Sequence, residues 1–401
     1  MSVTAGDARA LLRLLRLLPS AYLGVALSAD AAAFGEGPKL TTPSSVEMGS
    51  SVALSSDGTT AIVGSPGDHS QIGGAYVYTR VGGHWMYQDK LVGAGVSNSI
   101  AEQGSSVALS SDGSTALVGA PSDGSGIGAA WVFTRTGGVW AAGGTKLTPT
   151  SVGGPSHVGA SVALSSDGTV ALLGAPGDIQ HGATIGAGLV FTFSGGVWSQ
   201  TTKLFGNVRG TPAAGAQGTS VALSSDGATA LVGGPLDASA GAAWVFTRSG
   251  TVWSLQGGKL TGTGEAFNPA LGWSAALTAD GNLALVGGPK DGFSIAGQVV
   301  GAAWVFARDE NGSWSQQGDK LVGLGEAGYG QFGSSAALSK DGNIALLGGP
   351  DDGGTVGAAW VFTRACIGLA GDVNGSNGVD IADVFFLINF LFASGPAPVC
   401  R

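Results

Sequence analysis

Charge is what this chain most conspicuously lacks. Of its 401 residues only 11% are Asp, Glu, Lys or Arg, under half the usual share of about 25%. The 18 basic residues are dispersed and outnumbered by 27 acidic ones, for a net charge of -9, so no basic patch marks a nucleic-acid or anionic-lipid surface. Histidine (4) and cysteine (2) are scarce. G-x-S-x-G, H-E-x-x-H, a Walker loop and C-x-x-C are all missing, which withholds the common contiguous signatures of nucleophilic, zinc and nucleotide chemistry. No run approaches the ~20 apolar residues that cross a bilayer. Glycine, by contrast, is abundant at 73 residues, against a usual share of about 7%. Many short strands joined by tight turns produce such a composition.

The N-terminus reads as an export signal over residues 1–30. Arg9, Arg13 and Arg16 precede an apolar stretch from Leu17 to Ala26, and a small-residue run from Ser28 to Ala33 follows. That order matches a cleaved signal peptide and predicts a secreted or extracellular protein. In that setting the two cysteines, Cys366 and Cys400, are expected to pair as a disulfide.

Self-similarity organises the rest. SVALSSDG begins at Ser51, Ser106, Ser161 and Ser220, and varies to SAALTADG at Ser274 and SAALSKDG at Ser335. The aspartates stand at 57, 112, 167, 226, 280 and 341, in steps of 55, 55, 59, 54 and 61, just above the ~40–50 residues of a four-stranded blade. Each copy parses alike. SVALS alternates as a strand, Asp-Gly turns the chain, and a run such as Thr115 to Gly119 returns. A third strand of the type GAAWVFTR starts at Gly128, Gly241 and Gly357, and a fourth, marked by Trp85, Trp140, Trp198, Trp253 or Trp314, runs toward a Lys-Leu pair. Residues 31–364 are therefore expected to form an all-β, six-bladed propeller of four-stranded antiparallel blades. The sixth repeat stops at Arg364 without its fourth strand, and Phe34 to Leu40 (FGEGPKL) is placed to supply it and seal the ring's edges.

With Phe332-Gly333-Ser334-Ser335 opening a first strand and Gly119-Ala120-Pro121 or Gly174-Ala175-Pro176 closing a second, the repeat resembles the FG-GAP repeat of integrin alpha-chain propellers. The resemblance implies an interaction or adhesion propeller and offers seven blades as the alternative count. Calcium-bearing FG-GAP copies carry several carboxylates in the hairpin. Here the turn reads Ser-Ser-Asp-Gly, with one.

Three series of residues are candidates for chemistry. The hairpin aspartates suit a turn that needs positive φ angles. Two residues beyond each loop proline stand Asp68, Asp123, Asp178, Asp237, Asp291 and Asp352, which either tie their loops to backbone N–H groups or line one face as a cation-attracting ring. Two residues before the glycine that opens each first strand stand Glu47, Glu102, His157, Ala216, Ala270 and Gln331. Glu47, Glu102 and His157 are the types used for acid–base work or metal ligation and are the weak catalytic candidates. Trp273 offers a stacking surface or a core residue.

The tail, residues 365–401, is of another kind. Reading from Asp372, oxygen donors stand at Asp372, Asn374, Ser376, Gly378 (through its carbonyl), Asp380 and Asp383, the spacing of a wrapped calcium loop. It resembles a single segment of a type I dockerin, which implies Ca2+ as the bound ion and a following helix over Ile381 to Phe392. That helix is apolar around its circumference and needs a surface to cover it, on the propeller or on a docking partner.

These readings favour a secreted, non-enzymatic propeller that presents loops to a protein or carbohydrate ligand and carries a calcium-ordered docking module. The alternative is an extracellular polysaccharide-active enzyme with a dockerin-like tag.

Overall fold

The computed structural model describes residues 39–41, 46–98, 100–206, 215–266, 268–292, 300–326, 328–354 and 356–364. The export segment, most of the closing segment Phe34 to Leu40, both cysteines and the calcium loop lie outside the described residues. Within the compact unit Leu40–Thr363 the repeat builds six antiparallel sheets, the expected six-bladed propeller. Blade 1 comprises Val52–Leu54, Thr60–Gly64, Ala75–Val81 and His84–Leu91. Blade 3 comprises Val162–Leu164, Val170–Ala175, Ala187–Ser194 and Val197–Leu204. Blades 2, 4 and 5 follow the same order, the fourth strand of blade 2 being divided into Val139–Trp140 and Thr145–Leu147. Blade 6 shows three strands, Ser335–Leu338, Ile344–Gly349 and Ala358–Thr363.

The hairpin aspartates act as turn locks. Asp57 Oδ1 accepts bonds from Ser55 Oγ at 2.6 Å and from the Thr59 N–H at 3.0 Å, and the same pair of bonds recurs at Asp112, Asp167, Asp226, Asp280 and Asp341. The Ser55 hydroxyl, with the Thr59 backbone and hydroxyl, holds the Asp57 carboxyl down to about 2. Immediately before each aspartate the blades join hands around the axis. Ser56 N–H donates to Ser111 C=O, Ser111 to Ser166, Ser166 to Ser225, Ser225 to Ala279 and Ala279 to Lys340, each at 2.9–3.0 Å. First strands of successive blades are neighbours, so they line the axis.

Glycine serves the close approach of blades. Ser106 Oγ of blade 2 donates to the carbonyl of Gly159 in the lead-in of blade 3 at 2.7 Å. A Cβ on Gly119, in the adjoining strand, would overlap that carbonyl and the hydroxyl. The Gly-Ser and second-strand glycine landmarks of the repeat are thus one contact seen from two sides.

Five interfaces between consecutive blades are packed. At the second, Leu117 and Val132 of blade 2 meet Leu173 and Leu189 of blade 3, all 3% exposed or less. Among the described residues no such cluster joins the faces that would make the sixth. Leu346 and Val361 of blade 6, at the repeat positions of Leu117 and Val132, are 45% and 58% exposed, and Val52 and Leu54 of blade 1 are 69% and 61% exposed. Leu40 packs on the same side of blade 1, against the cluster Ala61, Val63, Tyr76 and Tyr78. At the axis the two ends still touch, because Lys340 Nζ hydrogen-bonds to Ser56 Oγ and, at 3.3 Å, to Ser111 Oγ.

Candidate active site at the propeller mouth

The loops that lead into the first strands and those that follow the second strands share the end of the propeller opposite the hairpins. The aspartates beyond the loop prolines are buried there, and the lysine of each Lys-Leu pair answers them. Lys90 pairs with Asp68 at 2.6 Å, Lys146 with Asp123 at 2.7 Å and Lys203 with Asp178 at 2.8 Å, while Lys259 pairs with Asp237 and Lys320 with Asp291. In Asp123, Asp178 and Asp291 the second carboxylate oxygen takes a lead-in N–H, from Ser97 at 2.7 Å, Gly153 at 2.8 Å and Ala266 at 2.7 Å. Burial pushes the Asp68 carboxyl up, but bonds from Lys90, Tyr76 and His69 outweigh it and hold the group below the ordinary carboxylate range. In these five blades the aspartates tie loops together, the first of the two roles weighed from sequence. The sequence carried the signal in full, as a Lys-Leu pair following each Asp, but only the fold shows the two meeting.

Glu47, Glu102 and His157 stand where expected, at one repeated position. Their φ angles are 59°, 57° and 53°, and Ala216 (50°), Ala270 (56°) and Gln331 (53°) match them. Left-handed backbone in all six blades is a property of the turn. Each side chain leans over the loop after the second strand. Glu102 Oε2 accepts from Ser122 Oγ at 2.5 Å, the Glu47 carboxyl lies against Gly67, the His157 ring lies against Gly126 and Gly177, and Gln331 Nε2 donates to Asp351. The three candidates make no hydrogen bond to one another. Among the described residues no group of three or more His, Cys, Asp or Glu is placed to hold a metal.

Blade 6 departs from this scheme. Near its loop aspartate, Asp352, stands a second acid, Glu326, which feels that residue's charge. The Glu326 side chain turns back over its own lead-in, close enough to Gly330 that a Cβ there would overlap the carboxyl. Oε1 is buried with no hydrogen-bond partner among the described residues. Burial chiefly, with the negative charge of Asp352 adding and a bond from the Phe332 backbone opposing, pushes the carboxyl up to about 7. A carboxylic acid in that range can give or take a proton at neutral pH. Sequence reasoning passed over Glu326 because it lies outside the repeated positions.

No family model matches the chain, and no curated protein matches it in sequence. Solved structures do match. A candidate 6-phosphogluconolactonase from Bacteroides uniformis superposes with a TM-score of 0.51 at 14% identity, over 79% of this chain and 81% of that one. The periplasmic gluconolactonase of Pseudomonas aeruginosa gives 0.51 at 18% identity over 82% and 84%, and a candidate 6-phosphogluconolactonase from Bacteroides fragilis gives 0.51 at 12% over 79% and 80%. The chain shares their propeller fold. These neighbours overturn the expectation of a non-enzymatic interaction propeller, which rested on the lack of a contiguous catalytic motif. Proteins named for lactone hydrolysis are built on the same blades, and a site collected from loops some 55 residues apart leaves no contiguous motif to find. Among the described residues no helix is long and apolar enough to cross a membrane.

Proposed function

We propose that this chain is an exported hydrolase of sugar lactones, with Glu326 as its proton-transferring group at the mouth of the propeller. The observation that carries the reading is the half-buried carboxyl raised to about 7 beside Asp352. The lactone-hydrolysing activity named for its fold neighbours supports it. In the proposed reaction the ionised Glu326 takes a proton from a water whose oxygen attacks the lactone carbonyl. The bond from that carbon to the ring oxygen breaks, and the departing oxygen receives the proton from Glu326. Lactone and water become one hydroxy acid, and Glu326 returns to its starting state. Burial, with the negative charge of Asp352 adding, keeps the affinity of Glu326 for the proton high.

The likeness to FG-GAP repeats and the dockerin-like tail remain part of the proposal. Asp372, Asn374, Ser376, Gly378, Asp380 and Asp383 offer only oxygen donors, three of them carboxylates, which suits Ca2+. The tail would attach the enzyme, with a Cys366–Cys400 disulfide as its staple.

Hydrolysis of glucono-δ-lactone followed in a pH-stat, corrected for the spontaneous reaction, tests the core of this reading. Turnover should rise with pH through an inflection near 7, and Glu326→Gln should lower it by about 10²–10⁴-fold and erase the inflection. If the intact protein accelerates the opening of no sugar lactone, or if Glu326→Gln keeps both rate and inflection, the proposal fails.

A further inference from the structure

The mouth carries a second departure from symmetry, in blade 5. At the residue three beyond the left-handed lead-in position, four blades place a hydroxyl that closes the turn. Ser50 donates to Glu47 C=O at 2.7 Å, and Ser105, Thr219 and Ser334 donate to Glu102, Ala216 and Gln331 C=O at 2.8 Å. Blade 3 has Ala160 there. Blade 5 has Trp273, an indole that forgoes the hydroxyl's bond and stands 41% exposed. The residue after the loop proline changes with it. Gly67, Ser122, Gly177, Leu236 and Asp351 fill that position elsewhere, and blade 5 has Lys290. Its Nζ lies over the Trp273 ring, 5.6 Å from the centroid. The lead-in residue of blade 5 is the small Ala270, itself buried, where blades 1, 2, 3 and 6 place Glu47, Glu102, His157 and Gln331.

Lys290 also differs from the other lysines of the mouth. Lys90, Lys146, Lys203, Lys259 and Lys320 are consumed by buried aspartates. Among the described residues no carboxylate forms an ion pair with Lys290. An exposed indole with an ammonium over its ring, in an otherwise acidic protein, has two ligand-binding features. The flat ring accepts the C–H face of a pyranose, and the ammonium attracts an anionic substituent. We propose that Trp273 and Lys290 form a subsite for an anionic sugar, one bearing a carboxylate or a phosphate. The inference rests on the hydrolase reading only in taking a sugar as the ligand.

Calorimetric titration of the full chain with glucose 6-phosphate, glucuronate, glucose and inorganic phosphate tests the subsite without requiring turnover. At least one anionic sugar should bind about tenfold or more tightly than glucose, the phosphate and carboxylate arms deciding which anion is preferred. Trp273→Ala should abolish that binding, and Lys290→Met should reduce it to the level of glucose. Both positions are exposed, and circular dichroism checks that the variants fold. The subsite is overturned if no anionic sugar binds, if glucose binds equally well, if Trp273→Ala leaves the isotherm unchanged, or if inorganic phosphate binds as tightly as the sugar phosphate, an adventitious ion only. Sugar binding that survives in a protein without lactone turnover would sink the hydrolase reading and leave the subsite standing. Turnover whose KM and anion preference ignore both substitutions would do the reverse.

Discussion

Blades 3 and 6 are written in nearly the same words and meet different fates. Leu172 of blade 3 and Leu346 of blade 6 occupy the same repeat position, yet the first is fully buried and the second 45% exposed. Asp178 of blade 3 is neutralised by Lys203 at 2.8 Å, whereas beside Asp352 of blade 6 stands Glu326, pushed up to about 7. A strand pattern therefore does not carry its own burial. Burial depends on having a neighbour on each side, and the last blade of an array has one fewer guaranteed by its sequence. Near that blade's loop stands Glu326, whose carboxyl is raised chiefly by burial.

The contrast predicts its largest effect in the packed interfaces. Leu117→Ala, at a fully buried position, should cost about 2–5 kcal/mol in chemical denaturation. Leu346→Ala should stay within about 0.5–1 kcal/mol, as at other exposed sites. Equal losses would mean that the blade 6 face is covered in solution and would erase the distinction between the two blades. A smaller effect is expected at the axis. Lys340→Ala removes the side chain that bridges to Ser56 and Ser111 and should cost about 0.5–1 kcal/mol, with amide exchange quickening in the hairpin of blade 1; unchanged exchange would show that the ends are held elsewhere.

The smallest effect is on pH dependence, and its sign follows from proton counting. Glu326 has an ordinary value of 4.5 and is raised to about 7 in the fold. Between those values the folded state holds a proton that the unfolded state has released, so stability falls as pH rises from 4.5 through 7. Glu326→Gln removes this term and should raise the melting temperature at pH 8 by about 1–3 °C while leaving it nearly unchanged at pH 4. A variant that melts lower at pH 8 would mean that the carboxylate is better satisfied than its surroundings indicate.

Much of the fold was legible because a repeat states its solution six times. The Asp-Gly hairpins and the strand periods could be read directly, since turn geometry and alternation are local properties of a few residues. The role of the prolyl-loop aspartates could only be narrowed to two readings, because Asp68 and Lys90 are 22 residues apart and nothing local says that they touch. Glu47, Glu102 and His157 were conspicuous by residue type, yet the shared left-handed backbone ties them to a turn that alanine and glutamine also fill. Glu326 was invisible for the opposite reason. Its chemistry comes from burial against Gly330 and from a neighbour in another loop.

What the sequence determined alone was the unit: four strands, a locked hairpin, and a glycine and a serine set for close contact with the next copy. These follow from backbone sterics and hydrogen bonding over a few residues; the locked hairpin recurs in all six repeats, and the four strands in the first five. Tertiary structure decided which copies of that unit are buried, which carboxylates are paired and which mouth residues stand clear of the ring's symmetry. Desolvation and charge coupling act through space between loops that the chain keeps some 55 residues apart, so Glu326, Trp273 and Lys290 acquire their chemical character only once the blades are assembled.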